Sequence, residues 1–228
     1  MTDESLCDFL KLLEEEGEII HVKKEVDPRF ELAAVLQRIQ DTVNKAVVFD
    51  KVKNHEMPVV SNLLGSHRRV ALSVDSTPER VLEDWTMKES KPRRAQVVES
   101  GPCKEVVLND EKADLTRLPI VTHHEEDGGP YITAGVVFSE DSEWGTNASF
   151  HRMQFVDRNT LKIRMVPGFH LRRFYEKAEE EGRDLDVAVC VGNHPHIMWA
   201  GVGKLPLGSN HLRLRRRPKR HVHQGRKV

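Results

Sequence analysis

The chain has 228 residues, 35 Lys and Arg against 36 Asp and Glu, and a net charge of −1, which suits one large or two small domains with a buried core. No apolar run approaches the roughly 20 residues that cross a bilayer, and the acidic N-terminus has neither the basic nor the apolar region of a secretory signal. Cys7, Cys103 and Cys190 are widely spaced and odd in number, which argues against a disulfide framework, fits the cytoplasm, and leaves Cys7 and Cys190 to read as buried thiols.

In chain order, Ser5 opens a helix with Leu6, Phe9, Leu10 and Leu13 at helical spacing and Asp8 as capping-box partner. Gly17 ends it, and Glu18–Val22 alternates as a strand. A second helix is expected from Asp27-Pro28, with Pro28 at its first position and Leu32, Val35, Leu36 and Ile39 as its apolar stripe. Ala46–Phe49 and Pro58–Ser61 read as short strands, and Asn62–Ser66 turns into Arg68–Val74. Thr77-Pro78-Glu79 then caps a helix through Val81, Leu82 and Trp85. This alternation predicts an α/β N-terminal domain over residues 1–95.

The charged, Pro-containing stretch Met87–Arg94 reads as a linker. Beyond it, closely spaced strands are expected at Lys104–Leu108, Tyr131–Ser139, Asn147–Val156, Leu161–Val166, Asp186–Val191 and His196–Gly201. One helix, Leu171–Gly182, interrupts them, with Leu171, Phe174, Tyr175 and Ala178 facing inward. Short strands around one helix suggest a barrel-like second domain over 96–208, so the whole is α+β. From His211 onward there are eight Lys or Arg and no acidic residue, a basic tail over 209–228 expected to be disordered. Charge alone would suit nucleic acid, but no aromatic residue in the tail can stack on bases.

Chemistry concentrates between Thr122 and His170. Polar residues stand inside strands there: Thr133, Asn147, Arg152 and Arg164, with His170 after the Pro167-Gly168 turn. An amide oxygen and an imidazole can ligate a divalent metal, and an adjacent Arg can pair with a phosphate. The alternative is structural: Asn147 starts a strand, Arg152 reaches solvent, and His170 caps the next helix. An offset of five puts Asn147 and Arg152 on opposite faces of a regular strand, so a shared site needs a bulge or a ligand wrapping the strand end. His123-His124-Glu125-Glu126-Asp127 reads as a solvated loop, and Asn193-His194-Pro195-His196 as a turn lacking a closed zinc set. Dinucleotide, P-loop and nucleophile-elbow motifs do not occur.

Long stretches resemble the UbiD-type decarboxylases: FLKLLEEEGEII, VKKEVDPRFELAAVL, VVSNLLGSHRRVAL, LPIVTHHEEDGGPYITAGVV, NASFHRMQ, IRMVPGFHLRRFYEKAEE and AVCVGNHPHIMWAGVGKLPLG. The resemblance runs in order from Asp8 to Gly208. It implies an N-terminal α/β domain, a split β-barrel, and a cytoplasmic carboxy-lyase. Such an enzyme removes carboxylate from an aromatic or α,β-unsaturated acid with prenylated FMN, Mn²⁺ and K⁺ as a further ion. It also implies a flavin prenyltransferase as cofactor supplier and a homo-oligomer. By position, Asn147 matches a metal ligand, His170 a second ligand, and Arg152 the Arg of a catalytic Glu-Arg-Glu set. Phe150 and His151 match backbone contacts to flavin; Arg164, Met165 and Val166 match a second cofactor-contacting run. Phe169 would lie beside the flavin and Thr133 near its phosphate.

The departure from the family follows Leu205-Pro206-Leu207-Gly208. A Glu that completes the metal site there falls near His211, and the acidic members of the Glu-Arg-Glu set have no counterpart in the chain. From about Ser209 the tail reads as a frameshift or premature end, so the barrel is expected to be incomplete and the chain alone to have impaired activity. The alternative is a non-catalytic flavin-binding or subunit-like remnant without the acid.

Overall fold

The computed structural model describes residues 5–90, 98–203 and 207. The expected disorder of residues 209–228, and Lys91–Arg94 of the expected linker, lie outside the described residues.

The first helix, α1 (Leu6–Glu15), starts where predicted. Ser5 Oγ accepts from the Asp8 amide at 3.1 Å, and the Asp8 carboxylate takes the Ser5 amide at 3.3 Å. Strands β1 (Ile19–Val22) and β2 (Ala46–Phe49) pair in parallel, with α2 (Glu31–Thr42) as their crossover, and β3 (Val59–Ser61) adds antiparallel to β2. All four residues of β2 are buried. Val47 and Phe49 pack among Leu32, Leu36 and Ile39, whereas Ala46 packs with Phe9 and Leu13 of α1. Helices on both faces explain why β2 reads as a continuous apolar run rather than an alternating one.

Two short helices, α3 (His67–Ser73) and α4 (Val81–Ser90), complete this half. Arg69, fully buried, bonds Glu18 Oε2 at 3.0 Å, the Asn44 carbonyl at 2.6 Å and the Asn62 carbonyl at 3.2 Å. Its charge is thus paired and hydrogen-bonded, the condition for holding a guanidinium inside a fold.

Among the described residues, the second half has six strands. β4 (Tyr131–Ile132), β7 (Met153–Asp157) and β8 (Thr160–Ile163) form one sheet; β5 (Val136–Asp141), β6 (Gly145–Phe150) and β9 (Val187–Cys190) form another, with β5 central. The β5–β6 hairpin is the one expected, with Ser139 opposite Asn147. Helix α5 (His170–Glu180) packs on one face of this sheet, where Leu171 meets Val137. Helix α6 (Pro195–Val202) covers the other face. A Cβ on its Gly201 would lie 3.1 Å from the Phe150 ring, so glycine permits the close approach.

Several expectations are corrected. The long runs Tyr131–Ser139 and Asn147–Val156 each divide between the two sheets, so the part expected as an incomplete barrel consists, among the described residues, of two three-stranded sheets with no closed barrel. Helix α2 begins at Glu31 rather than Pro28. The backbone of Pro28–Phe30 is occupied by a bridge to Thr122, and Phe30 caps the helix with φ of 71°. His196–Gly201 is helical, because Pro195 stands at the first position and the His194 side chain accepts the His196 amide. Lys104–Leu108 forms no strand; Val106, Val107 and Leu108 are exposed. Met87–Ser90 is the end of α4 rather than linker. Leu82 faces solvent, and Cys7 is exposed on the side of α1 opposite Phe9 and Leu13, while Cys190 is half-buried.

Candidate metal and phosphate site

Side chains two apart on a strand share a face. On β6 this aligns Asn147 and Ser149, and His151 continues the row just past the strand end. Asn147 is 3% exposed, and its Nδ2 donates to Ser149 Oγ at 3.1 Å. Ser149 Oγ lies 3.0 Å from His151 Nε2, and His151 Nδ1 lies 3.2 Å from the Arg164 carbonyl oxygen. Three side chains and one carbonyl therefore tie β6 to the segment after β8. Among the described residues, nothing donates a hydrogen bond to Asn147 Oδ1.

The row lies on the α5 side of the sheet. Across the hairpin, Ser139 Oγ is buried with no hydrogen-bond partner among the described residues. An orphaned buried hydroxyl costs about 1–3 kcal/mol, and a bound ion or water commonly satisfies such a group. Two register positions further and on the same face, Asp141 accepts from Lys177 Nζ of α5 at 2.8 Å and from the Glu143 and Trp144 amides. The Lys177 bond, ahead of the amides, holds the Asp141 carboxyl below its ordinary pKa. This contact anchors α5, and with it His170 at the N-terminal end of the helix.

The remaining expected residues spread around this row. His170 is the first residue of α5 and half-buried; Phe169 caps the helix with its own side chain exposed. Met165 packs against the cluster of Val137 and Leu171, while Arg164 and Val166 are exposed. Phe150 turns its ring to the α6 face, away from Asn147. Arg152 is exposed, its guanidinium carbon 5.8 Å from the Tyr131 ring centroid, within cation–π reach. The strand ends between Asn147 and Arg152, as the five-residue offset requires if both are to serve one ligand.

Thr133 takes a different place. It lines a cavity of about 660 Å³ between the two halves, among Leu36, Leu63, Ile120, Tyr131 and Met198. His123 also borders this cavity, and burial pushes its imidazole below the usual pKa. Among the described residues, no group of three or more His, Cys, Asp or Glu is placed to hold a metal.

Sequence reasoning passed over Ser149, although its position midway between Asn147 and His151 on one strand face was there to be read. It also missed the burial of His194 and His196, whose Nδ1 atoms lie 2.7 Å apart at the start of α6.

The family described as 3-octaprenyl-4-hydroxybenzoate carboxy-lyase Rift-related domain matches residues 95–215, and the N-terminal domain of the same carboxy-lyase matches residues 10–88. The chain belongs to the UbiD family. Among curated UbiD relatives, it is 36% identical over 202 residues to an anhydromevalonate phosphate decarboxylase of Methanosarcina mazei, covering 88% of this chain and 45% of that protein. A phenolic acid decarboxylase of Sedimentibacter hydroxybenzoicus is 32% identical over 220 residues, covering 90% of this chain and 45% of that one. Among solved structures, the UbiD-class enzyme HmfF from Pelotomaculum thermopropionicum, in an evolved dimeric form with prFMN, superposes with a TM-score of 0.86 at 36% identity. That match covers 92% of this chain and 49% of HmfF. The chain thus spans about half the length of the relatives it matches, and its α/β fold with small sheets is that of UbiD-class enzymes.

Proposed function

We propose that this chain holds the phosphate of prenylated FMN, together with a divalent metal, as part of a UbiD-type carboxy-lyase for an aromatic or α,β-unsaturated carboxylic acid. The observation that carries the reading is the buried Asn147 amide, fixed through its nitrogen and with its oxygen unclaimed among the described residues. The amide oxygen is the donor type that suits Mn²⁺, an imidazole adds a nitrogen ligand for a first-row divalent metal, and the orphaned Ser139 hydroxyl marks the same neighbourhood as polar and unsatisfied.

In this reading Asn147 and His170 hold the metal. Arg152 and Arg164 offset the dianionic phosphate, for which guanidinium geometry is suited. The exposed Phe169 ring and the backbone of Phe150, His151, Met165 and Val166 flank the flavin, while Thr133, in the cavity between the halves, is left out of the phosphate set. When bound, prenylated FMN supplies an electron sink for the pair released as CO₂ departs. Arg152 orients the substrate carboxylate, and Lys177 through Asp141 keeps α5, and so His170, in place. A flavin prenyltransferase would supply the cofactor. Residues 1–95 act as a supporting unit and 96–208 as the cofactor-holding unit.

Turnover in this family also needs a positioned acid, worth about 10²–10⁴-fold where general acid catalysis operates. We therefore propose that the 228 residues by themselves bind flavin but turn over poorly. Flavin should co-purify with the chain when it is expressed beside a prenyltransferase, and Asn147→Ala should abolish that binding. Unchanged flavin content in Asn147→Ala would remove the site. Decarboxylation by the purified, reconstituted chain, with every complete homologue excluded, would overturn the claim of impaired turnover.

A further inference from the structure

The row on β6 has a direction, and the direction follows from the chemistry of its ends. The Arg164 carbonyl can only accept, so the His151 Nδ1 that faces it at 3.2 Å carries the proton. In the neutral ring Nε2 is then an acceptor, and the Ser149 hydroxyl 3.0 Å away must donate to it. Having spent its proton there, Ser149 Oγ meets the Asn147 amide as an acceptor, so the group facing it at 3.1 Å is Nδ2. Every donor points one way, from Asn147 through Ser149 and His151 to the backbone after β8.

This matters because an amide is a metal ligand only in one of its two orientations. A carboxamide rotated by half a turn would present NH₂ where a cation needs oxygen, and the two orientations occupy the same space. Packing alone cannot choose between them; a hydrogen bond of fixed direction can. We propose that Ser149 and His151 are positioning residues that hold the Asn147 amide with Oδ1 toward the metal, the Arg164 carbonyl setting the direction of the whole row. The proposal rests on the metal and phosphate reading above and adds to it the Ser149 and His151 side chains and the Arg164 carbonyl, which need not touch the ion. Hydrogen-bonded partners of metal ligands serve this orienting role in other centres.

The test uses the full 228-residue chain with FMN as probe, because FMN affinity can be measured with Mn²⁺ present and again in EDTA. The ratio of the two isolates the metal-dependent part of binding. Ser149→Ala and His151→Phe should lower that ratio by roughly 10–100-fold, the usual effect of losing a ligand's hydrogen-bond partner. In Ser149→Ala, FMN affinity in EDTA should stay that of the unsubstituted chain. His151→Gln, which keeps one acceptor and one donor, should retain most of the ratio. A ratio unchanged in Ser149→Ala and His151→Phe would overturn the relay while leaving the site intact. Equal losses with Mn²⁺ and in EDTA in Ser149→Ala would also overturn it, since they mark a merely structural role. If the unsubstituted chain binds FMN no better with Mn²⁺ than in EDTA, the metal reading itself fails and the relay goes with it.

Discussion

Asp141 is the residue whose burial asks most of its surroundings. Its side chain is 3% exposed, and it is held by Lys177, by two backbone amides and at 3.5 Å by Arg183. Because its folded pKa is depressed, it contributes stability that is fully present above the unfolded value and is lost as pH falls through the folded one. The stability difference between the unsubstituted chain and Asp141→Asn should therefore hold at neutral pH and shrink below the ordinary aspartate value of 3.8. Urea unfolding at a series of pH values measures this, and a difference that grows on acidification would contradict the assignment. Lys177→Met should cost about 1–3 kcal/mol, the range for stranding a buried hydrogen-bonding group. At this scale the sequence was partly legible. Asn147 stood out as a polar residue inside a strand, but Asp141 and Ser149 looked like ordinary turn and strand residues. Their importance lies in who stands opposite them, and that depends on hairpin register and on the docking of α5.

The elements show a second limit on what a sequence displays. The run from Tyr131 to Ser139 alternates well enough to pass for one strand, yet the chain leaves one sheet after Ile132 and enters another at Val136. Gly135 sits at that crossing. A Cβ there would lie 2.6 Å from the tip of Met153 and 3.2 Å from both Ile132 and Val189. The Met153 tip can move aside, but the two β-branched neighbours are stiff, so Gly135→Ala should destabilise by about 1–3 kcal/mol through overpacking. Denaturant unfolding of Gly135→Ala would show this; an unchanged midpoint would mean that the crossing has slack. Elements whose determinants are local were read well: the Ser5 capping box, β2 with its uninterrupted apolar run, and α5 with Leu171, Phe174 and Ala178 buried. The missed ones depended on distant partners. The start of α2 is displaced by a backbone bridge to Thr122, ninety-odd positions along the chain by its numbering, which no local pattern announces. The helix α6 looked like a strand because its apolar residues lie against both the second sheet and the first half of the chain.

At the scale of the molecule, α6 is the joint. Its Trp199 packs against Trp85 of α4 with ring centroids 4.9 Å apart and donates its indole hydrogen to the buried Ser73 of α3 at 3.0 Å. Just before it, His194 meets Phe9 of α1 edge-on at 5.2 Å. On its other side Gly201 lets the same helix press against Phe150 at the end of β6, the strand that carries Asn147. One short helix thus links the supporting α/β half to the strand of the candidate site, and both halves should unfold together while that link holds. Trp199→Ala removes the shared ring and one hydrogen bond, at a cost of about 3 kcal/mol, the low end for truncating an aromatic side chain. The loss falls on the coupling more than on either half, since Phe9 and Leu13 on one side and Val137 and Leu171 on the other keep their own clusters. Two remaining tryptophans report the halves separately: Trp85 in the first, and Trp144, which packs against Phe174, in the second. In the unsubstituted chain, whose three tryptophans emit together, fluorescence should give a single unfolding transition. In Trp199→Ala the Trp85 and Trp144 midpoints should separate, with FMN shifting only the Trp144 midpoint. Coincident midpoints in Trp199→Ala would mean that the halves are coupled elsewhere, through the Arg29–Thr122 bridge, rather than through α6.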